Sequence, residues 1–298
     1  MVNIGPNFDE AIETLKKLGP KHRYLISGYP PFLRMLFYFT TKNKLDLHRY
    51  HIDVLTGGEG FVEEWRDLIK QHLGPSALIF SAYGSTDKGL GEGIETPLTI
   101  TIRNLYRILL DVVKVSSSTQ RVSSKFLDSP FSIDIAGAIS LFNNIFHINP
   151  AKESRIPMVF QTDPLTYFHQ QIYKNRNGNN VQEVLTTNLK TYSSQAVIKY
   201  NIEDESGICG FDKMMNGFKS IGIDPIAFSK RLPHSDSRFL PFPFFFVFGR
   251  STGMLSVDGA NIFPEEIGRA IEHSEIGSLV NSFRIKLSPD YRFAIELE

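Results

Sequence analysis

Ala77-Leu78-Ile79-Phe80-Ser81-Ala82-Tyr83-Gly84-Ser85-Thr86-Asp87 is an apolar run that ends in small and hydroxylated residues, with Lys88, Gly89, Gly91 and Gly93 following. The spacing predicts a buried strand over Ala77 to Ala82 that feeds a loop of Tyr, Gly, Ser, Thr and Asp. Such a loop suits a nucleotide. It offers an aromatic face, close backbone approach at glycine, hydroxyl groups and one carboxylate. Taken alone it is also an ordinary strand-to-loop turn, in which Thr86 and Asp87 cap a helix.

The chain before this stretch alternates strand and helix. Asn7 followed by Glu10 forms a capping pair, Phe8, Ile12, Leu15 and Leu18 have helical spacing, and Gly19-Pro20 stops that helix. His22 to Ser27 reads as a strand, Gly28-Tyr29-Pro30-Pro31 as a turn, and Phe32 to Phe39 as an apolar helix. Tyr50 to Leu55 is a second strand that opens on Thr56-Gly57-Gly58-Glu59. A further helix sets Phe61, Trp65, Leu68, Ile69 and Leu73 on one face before Gly74-Pro75. Strand–helix–strand–helix–strand is the pattern of parallel βαβ units with right-handed crossovers. The loops at Gly28, Gly57 and Tyr83 then leave the carboxyl ends of parallel strands, along the edge where open α/β sheets bind ligands. Tyr29 and Trp65 are expected in the core.

Beyond the stretch, Ile94 to Leu110 has helical spacing, Ser116 to Ser124 reads as a surface loop, and Phe131 to Phe146 as a buried helix. After Pro157 the texture changes to short strands at Met158 to Gln161, Tyr167 to Tyr173 and Val181 to Thr187, with Asn177-Gly178 as the turn between the last two. Val197 to Tyr200 is read as a strand opening on a loop, Asn201-Ile202-Glu203-Asp204-Glu205-Ser206-Gly207. On residue types alone, Asp204 in that acidic run is a solvated turn. Phe244 to Phe248 is a buried strand, and Gly249-Arg250-Ser251-Thr252-Gly253 a boundary. Met254 to Val257 forms a small strand, Pro264 opens a helix through Glu272, and the tail alternates as a hairpin around Ser288-Pro289-Asp290. The expected fold is α/β: a parallel βαβ sheet layer, an appended mostly antiparallel β region, and the start of a small α+β C-terminal domain. Its expected division is 1–249 and 250–298.

Composition narrows the partners. Lys plus Arg equals Asp plus Glu at 32 each, so no net field draws the 298-residue chain to nucleic acid or an anionic membrane. The single cysteine, Cys209, excludes an intrachain disulfide and a cysteine-based zinc cluster, and its small-residue surroundings point to a buried, inert thiol. The eight histidines show no metal-ligand spacing. Met1 to Pro6 lacks the regions of a signal peptide, and Phe239 to Phe248, broken by prolines, is shorter than the ~20 residues of a membrane helix. A cytoplasmic protein is expected.

Four segments together resemble the adenylate-forming ligases (acyl-CoA synthetases), most closely the branch of phenylacetate–CoA ligase and coenzyme F390 synthetase. Thr56-Gly57-Gly58-Glu59 is similar to the glycine-glycine-glutamate loop beside the adenine. Tyr83-Gly84-Ser85-Thr86-Asp87 resembles Tyr-Gly-x-Thr-Glu, with aspartate for glutamate. Lys199-Tyr200-Asn201-Ile202-Glu203-Asp204 resembles Arg-Tyr-x-x-Gly-Asp, with Lys199 for the arginine and Glu203 for the glycine. Gly249-Arg250 and Val257-Asp258-Gly259 to Ile267 resemble the hinge and the opening of the small domain. The resemblance spans residues 22 to 298 in order. It implies attack of a carboxylic acid, aryl or acyl, on the α-phosphorus of ATP, and displacement of AMP by coenzyme A. It implies Gly57, Gly58, Glu59, Tyr83, Gly84 and Thr86 around the nucleotide, Thr86 and Asp87 as catalytic groups, and Asp87 as the Mg²⁺ ligand. It places Asp204 on the ribose and Arg250 on ribose or phosphate.

The family's Ser/Thr/Gly-rich phosphate loop has no counterpart between Met1 and Gly57, and its C-terminal lysine none that Lys286 could supply. Three expectations stay open: a fragment, a split enzyme whose second chain supplies the phosphate loop, or a relative that binds nucleotide or acyl groups without catalysis.

Overall fold

A computed structural model describes residues 4–85, 87, 89–115, 120–122, 131–150, 155–176, 179–190, 196–232, 239–250, 255–257, 260–262, 264–273, 277–280, 283–287 and 293–297. The chain groups into two compact units, one of residues 1–81 with 253–298 and one of residues 82–252.

The first unit opens as the sequence predicts. Helix α1 (Phe8–Leu18) starts where the Asn7 side chain accepts the Glu10 N–H at 3.1 Å, and ends at Gly19 with φ 73°. Strand β1 (Arg23–Gly28) leads to α2 (Pro30–Lys42), whose prolines occupy the first turn, where a missing N–H costs nothing. Strand β2 (His51–Gly57) and helix α3 (Glu63–Leu73) follow. Strands β1 and β2 pair parallel from Arg23↔His51 to Gly28↔Thr56. Strand β3 (Ile79–Ser85) is next in order, and Val54 N–H donates to the Leu78 carbonyl at 2.8 Å. Ile12, Leu33, Phe37, Val54, Trp65 and Ile69 fill the core of this unit.

Strand β3 continues past Ser81 into the second unit, where it pairs antiparallel with β4 (Gly89–Ile94) from Ala82↔Ile94 to Ser85↔Gly89. Tyr83 and Gly84 therefore belong to a strand rather than to the loop expected there. Gly89, Gly91 and Gly93 lie on the return strand. Helix α4 (Pro97–Val115) starts three residues later than its apolar spacing indicates, because Ile94 is held by β3. Strands β5 (Gln120–Val122) and β6 (Phe131–Ile133) pair, so part of the expected Ser116–Ser124 loop is strand; the remainder lies outside the described residues. Helix α5 (Ile135–Leu141) begins where the Asp134 carboxylate accepts the Ala136 and Gly137 N–H groups, and a π-type turn, Phe142–Phe146, extends it. The expected Phe131–Phe146 helix is thus strand over its first three residues.

Strands β7 (Met158–Gln161), β8 (Tyr167–Arg176), β9 (Asn179–Asn188) and β10 (Tyr200–Cys209) follow, then helices α6 (Phe211–Lys219) and α7 (Pro225–Ser229) and strand β11 (Phe244–Arg250). Within this unit the strand order is β3-β4-β7-β11-β10-β9-β8, with antiparallel neighbours throughout. The Asn177-Gly178 turn lies outside the described residues, although Arg176 pairs with Asn179 on either side of it. The expected strand at Val197 to Tyr200 and loop at Asn201 to Gly207 are exchanged. The strand begins at Tyr200 and carries the acidic run, with a bulge between Asn201 and Glu205. Charge hid this strand from a hydrophobicity reading, yet its polar groups are partnered: Arg155 Nη1 lies 2.8 Å from Glu205 Oε2, and Asn201 donates to Glu183 at 2.6 Å. Helices α4, α5 and α6 close over β7 and β11 through Leu105, Leu109, Phe142, Phe146, Phe218, Phe244 and Phe246. Each such buried side chain contributes roughly 1.5–3 kcal/mol of transfer free energy.

The C-terminal segment adds β12 (Leu255–Val257), β13 (Ala260–Ile262), helix α8 (Pro264–His273), β14 (Phe283–Leu287) and β15 (Phe293–Leu297). Both strand pairs are antiparallel, and the second is the hairpin expected around Ser288–Asp290, which itself lies outside the described residues. Helix α8 meets α3 and α2 in the first unit. Arg269 Nε is 3.7 Å from Glu64 Oε1, and Arg34 donates to the Glu272 carboxylate and the Gly277 carbonyl. The whole is an α/β fold: a parallel βαβ layer, an antiparallel β region and a small α+β segment. No helix among the described residues is long and apolar enough to cross a membrane.

Candidate functional site

In the second unit, two of the four motifs are brought together by side-chain hydrogen bonds. Tyr83, on β3, donates its phenol to Asp204 Oδ2 on β10 at 2.8 Å. Tyr200, the first residue of β10, donates to Asp87 Oδ2 in the β3–β4 turn at 2.5 Å. Each motif thus lends its tyrosine to the other's aspartate, across more than a hundred residues of chain.

Packing fixes the first of these bonds. The Tyr83 ring lies 5.1 Å from Phe245 and 5.7 Å from Phe160, both buried on β11 and β7. His169 stacks on Phe245 at 5.3 Å, and its ring nitrogens contact the Thr162 and Thr186 hydroxyls at 2.9 and 3.2 Å. The Thr186 hydroxyl donates in turn to the fully buried Glu92. A polar network therefore stiffens the wall behind the aromatic residues. Asp204 is only 8% exposed, which corrects the reading of a solvated turn. Arg250 is its cross-strand partner: the Cα atoms of Asp204 and Arg250 are paired between β10 and β11. Gly84 pairs with Leu90 inside the β3–β4 ladder. Thr86 lies outside the described residues, and Asp87 is exposed.

The backbone of the third motif is strained at the position where the resembled pattern has glycine. Glu203 has φ 68°, in the left-handed region, and its N–H donates to Asn201 Oδ1 at 2.9 Å. Lys199 is left-handed as well, with φ 50°. Such conformations cost a non-glycine residue on the order of 1 kcal/mol or more.

The Gly57–Gly58–Glu59 loop belongs to the first unit, at the end of β2. Gly58 has φ 84°, and a Cβ there would lie 2.4 Å from Tyr29 Cε1, so the loop needs glycine both for conformation and for the ring beside it. Glu59 is exposed. Tyr29 is 62% exposed and not a core residue as expected: it precedes the first turn of α2, where the chain leaves the sheet. Trp65 does sit in the core, at 4% exposure and 4.7 Å from Phe61. Cys209 is buried, and burial pushes its thiol up to about 11 despite Lys213 nearby.

Chemically, the second-unit site offers a phenol-anchored buried carboxylate and an exposed carboxylate held by another phenol. An ionised carboxylate accepts at about four lone-pair positions, so a phenol does not preclude a sugar diol. Among the described residues no group of three or more His, Cys, Asp and Glu side chains forms a metal cage. A lone exposed carboxylate fits Mg²⁺, which keeps waters and phosphate oxygens as its other ligands. The sequence reading passed over Tyr200 as a site residue, although the tyrosine of the Arg-Tyr-x-x-Gly-Asp pattern marked it.

No family model and no curated protein matches the sequence. Two crystal structures of 2-hydroxyisobutyryl-CoA ligase in the postadenylation state match the structure, both at 13% identity over 97% of this chain. The complex with 2-HIB-AMP gives a TM-score of 0.56, and that with R3-HIB-AMP gives 0.54. This chain spans 45% of the length of those proteins. At that identity the likeness is one of fold, and along nearly its whole length the chain is similar in architecture to part of an acyl-CoA ligase.

Proposed function

We propose that the chain carries the nucleotide-binding part of an adenylate-forming acid–thiol ligase of the phenylacetate–CoA ligase-like branch, acting in the cytoplasm. The observation that supports this most is the Tyr83–Asp204 bond, which joins two separately recognised motifs at one point of a ligase-like fold. In this reading residues 1–249 contribute to the large adenylation domain and 250–298 to the hinge and small domain.

The reaction has two steps. A carboxylate oxygen of an aryl or acyl acid bonds to the α-phosphorus of ATP, and the bond to the β-phosphate breaks, releasing pyrophosphate. The sulfur of coenzyme A then bonds to the acyl carbon, its proton is lost, and AMP leaves. Asp204 orients the sugar by accepting from its hydroxyls, and Arg250, across the ladder, supplies a planar cation for ribose or phosphate. Tyr83 serves the base, and the resemblance gives Gly57, Gly58 and Glu59 the same role. Gly84 lets backbone come close to the base, and the Thr86 hydroxyl serves a phosphate oxygen or the new acyl carbonyl. Asp87 would hold Mg²⁺, which supplies charge neutralisation at the phosphates.

A second reading is a nucleotide- or acyl-binding module without chemistry, alone or with another chain that supplies the phosphate loop. The strained Glu203 and the short Asp87 carboxylate favour it. ATP–pyrophosphate exchange separates the two, run on this chain and on any longer reading frame that contains it. Acid-dependent exchange supports the ligase. AMP binding by a folded protein with no exchange from either form would sink that reading and leave the module.

A further inference from the structure

The Tyr200–Asp87 bond has no counterpart in the roles set out above. Asp87 is exposed in a short turn, where its side chain would be expected to sample several rotamers. A bond to a residue 113 positions away must offset that entropy, and exposed polar contacts rarely do so unless the geometry is good. Here it is good. At 2.5 Å the phenol–carboxylate distance lies at the short end of charge-assisted O–H···O⁻ bonds. Tyrosine is also a rigid donor, with few torsions to immobilise. It is neutral, so the full negative charge of the carboxylate is kept for a cation.

We infer that Tyr200 is a positioning residue for Asp87: it pins Oδ2, so that Oδ1 is presented to a divalent cation carried on nucleotide phosphates. Where the resembled motif has glutamate, this chain has a side chain one methylene shorter. A shorter carboxylate cannot search for the metal by bending its own stem, so its aim depends on an external anchor. Tyr200 opens the same strand that carries Asp204, and Tyr83 ends on the strand that leads to Asp87. The sugar end and the cation end of the site therefore share one frame. The inference rests on the reading of Asp87 as a Mg²⁺ ligand.

The test is calorimetric titration of the full chain with ATP in Mg²⁺ and in EDTA, and with AMP in EDTA. In the wild type, Mg²⁺ should strengthen ATP binding. Tyr200→Phe should reduce that enhancement by about 10-fold, the usual effect of removing a group that orients a metal ligand, and leave metal-free AMP binding within about 2-fold. Asp87→Asn should abolish the enhancement, and Tyr200→Phe added to it should change nothing further. Tyr200→Met, which also lacks a donor, carries the same test if the phenylalanine variant does not fold. An enhancement kept in full by the folded variant overturns the inference alone, as does an equal loss of AMP affinity, the mark of a merely structural role. No Mg²⁺ effect in the wild type overturns the metal reading of Asp87, and the inference with it.

Discussion

At the scale of single residues, the Tyr83–Asp204 bond decides how the site answers to mutation. A hydrogen bond to a charged acceptor contributes roughly 1.5–3 kcal/mol, so Asp204→Ala should weaken AMP binding by about 10-fold or more. Tyr83→Phe keeps the ring against Phe245 and removes only the donor, and should cost less, about 3-fold. Because the two residues share one bond, the double variant should bind little worse than Asp204→Ala alone. Fluorescence competition with a labelled AMP measures all three. Unchanged affinity in Asp204→Ala removes the ribose assignment.

At the scale of elements, β10 shows why a motif is more than its letters. Glu203 takes a left-handed conformation at the position where the resembled pattern has glycine, inside a bulge between Asn201 and Glu205. The bulge re-aims the strand so that Asp204 turns inward to Tyr83. The strain of that conformation is carried by Glu203 itself. Glu203→Gly should therefore stabilise the chain by about 0.5–1 kcal/mol, the relief of strain exceeding the entropy glycine adds to the unfolded state. Urea midpoints of the two proteins check it, and a lower midpoint for the glycine variant would show that the Glu203 side chain contributes more than its backbone costs.

At the scale of the whole molecule, acid should loosen the fold. His72 lies against Phe37 and shares a hydrogen bond with Thr41, and burial, then His48 and Arg34, holds its pKa below the usual value of 6.5. Burial, with Lys213, lowers His147 in the same direction. A group whose pKa is depressed by folding contributes stability above its unfolded pKa and loses it as pH falls through the folded one. Burial raises Glu272 against the pull of Arg34, and that shift contributes in the opposite sense. The melting temperature should accordingly drop as pH falls below about 6.5, and His72→Gln should shrink the drop. Trp65, the single tryptophan, is buried in the unit that contains His72, so its fluorescence reports that unit directly. A drop of the same size in the variant would acquit His72.

Most of the βαβ layer was legible because its signals are local. Capping at Asn7, the stops at Gly19 and Gly74, and a 3.6-residue apolar stripe from Trp65 to Leu73 each depend on a few neighbouring residues, and each element stands where those residues put it. The antiparallel strands at Met158 and Tyr167 were found by the same means. The errors fall where partners are distant. Tyr83 and Gly84 read as loop until β4 supplies the opposite strand, and the acidic run after Tyr200 reads as solvent-facing until Arg155, Glu183 and Tyr83 reach it. Tyr29 reads as core, yet it stands between β1 and α2 and is exposed.

The sequence by itself determined the alternation of elements, the α/β class, and the order of the four motifs, because helix and strand periodicity and turn chemistry act over a few residues. Only the tertiary structure decided that Tyr83 stands in a strand, that Asp204 is buried, and that Tyr200 meets Asp87. Those facts depend on pairing between β3, β4, β10 and β11, which brings together residues more than a hundred positions apart, and no local pattern encodes which distant carboxylate a phenol will find.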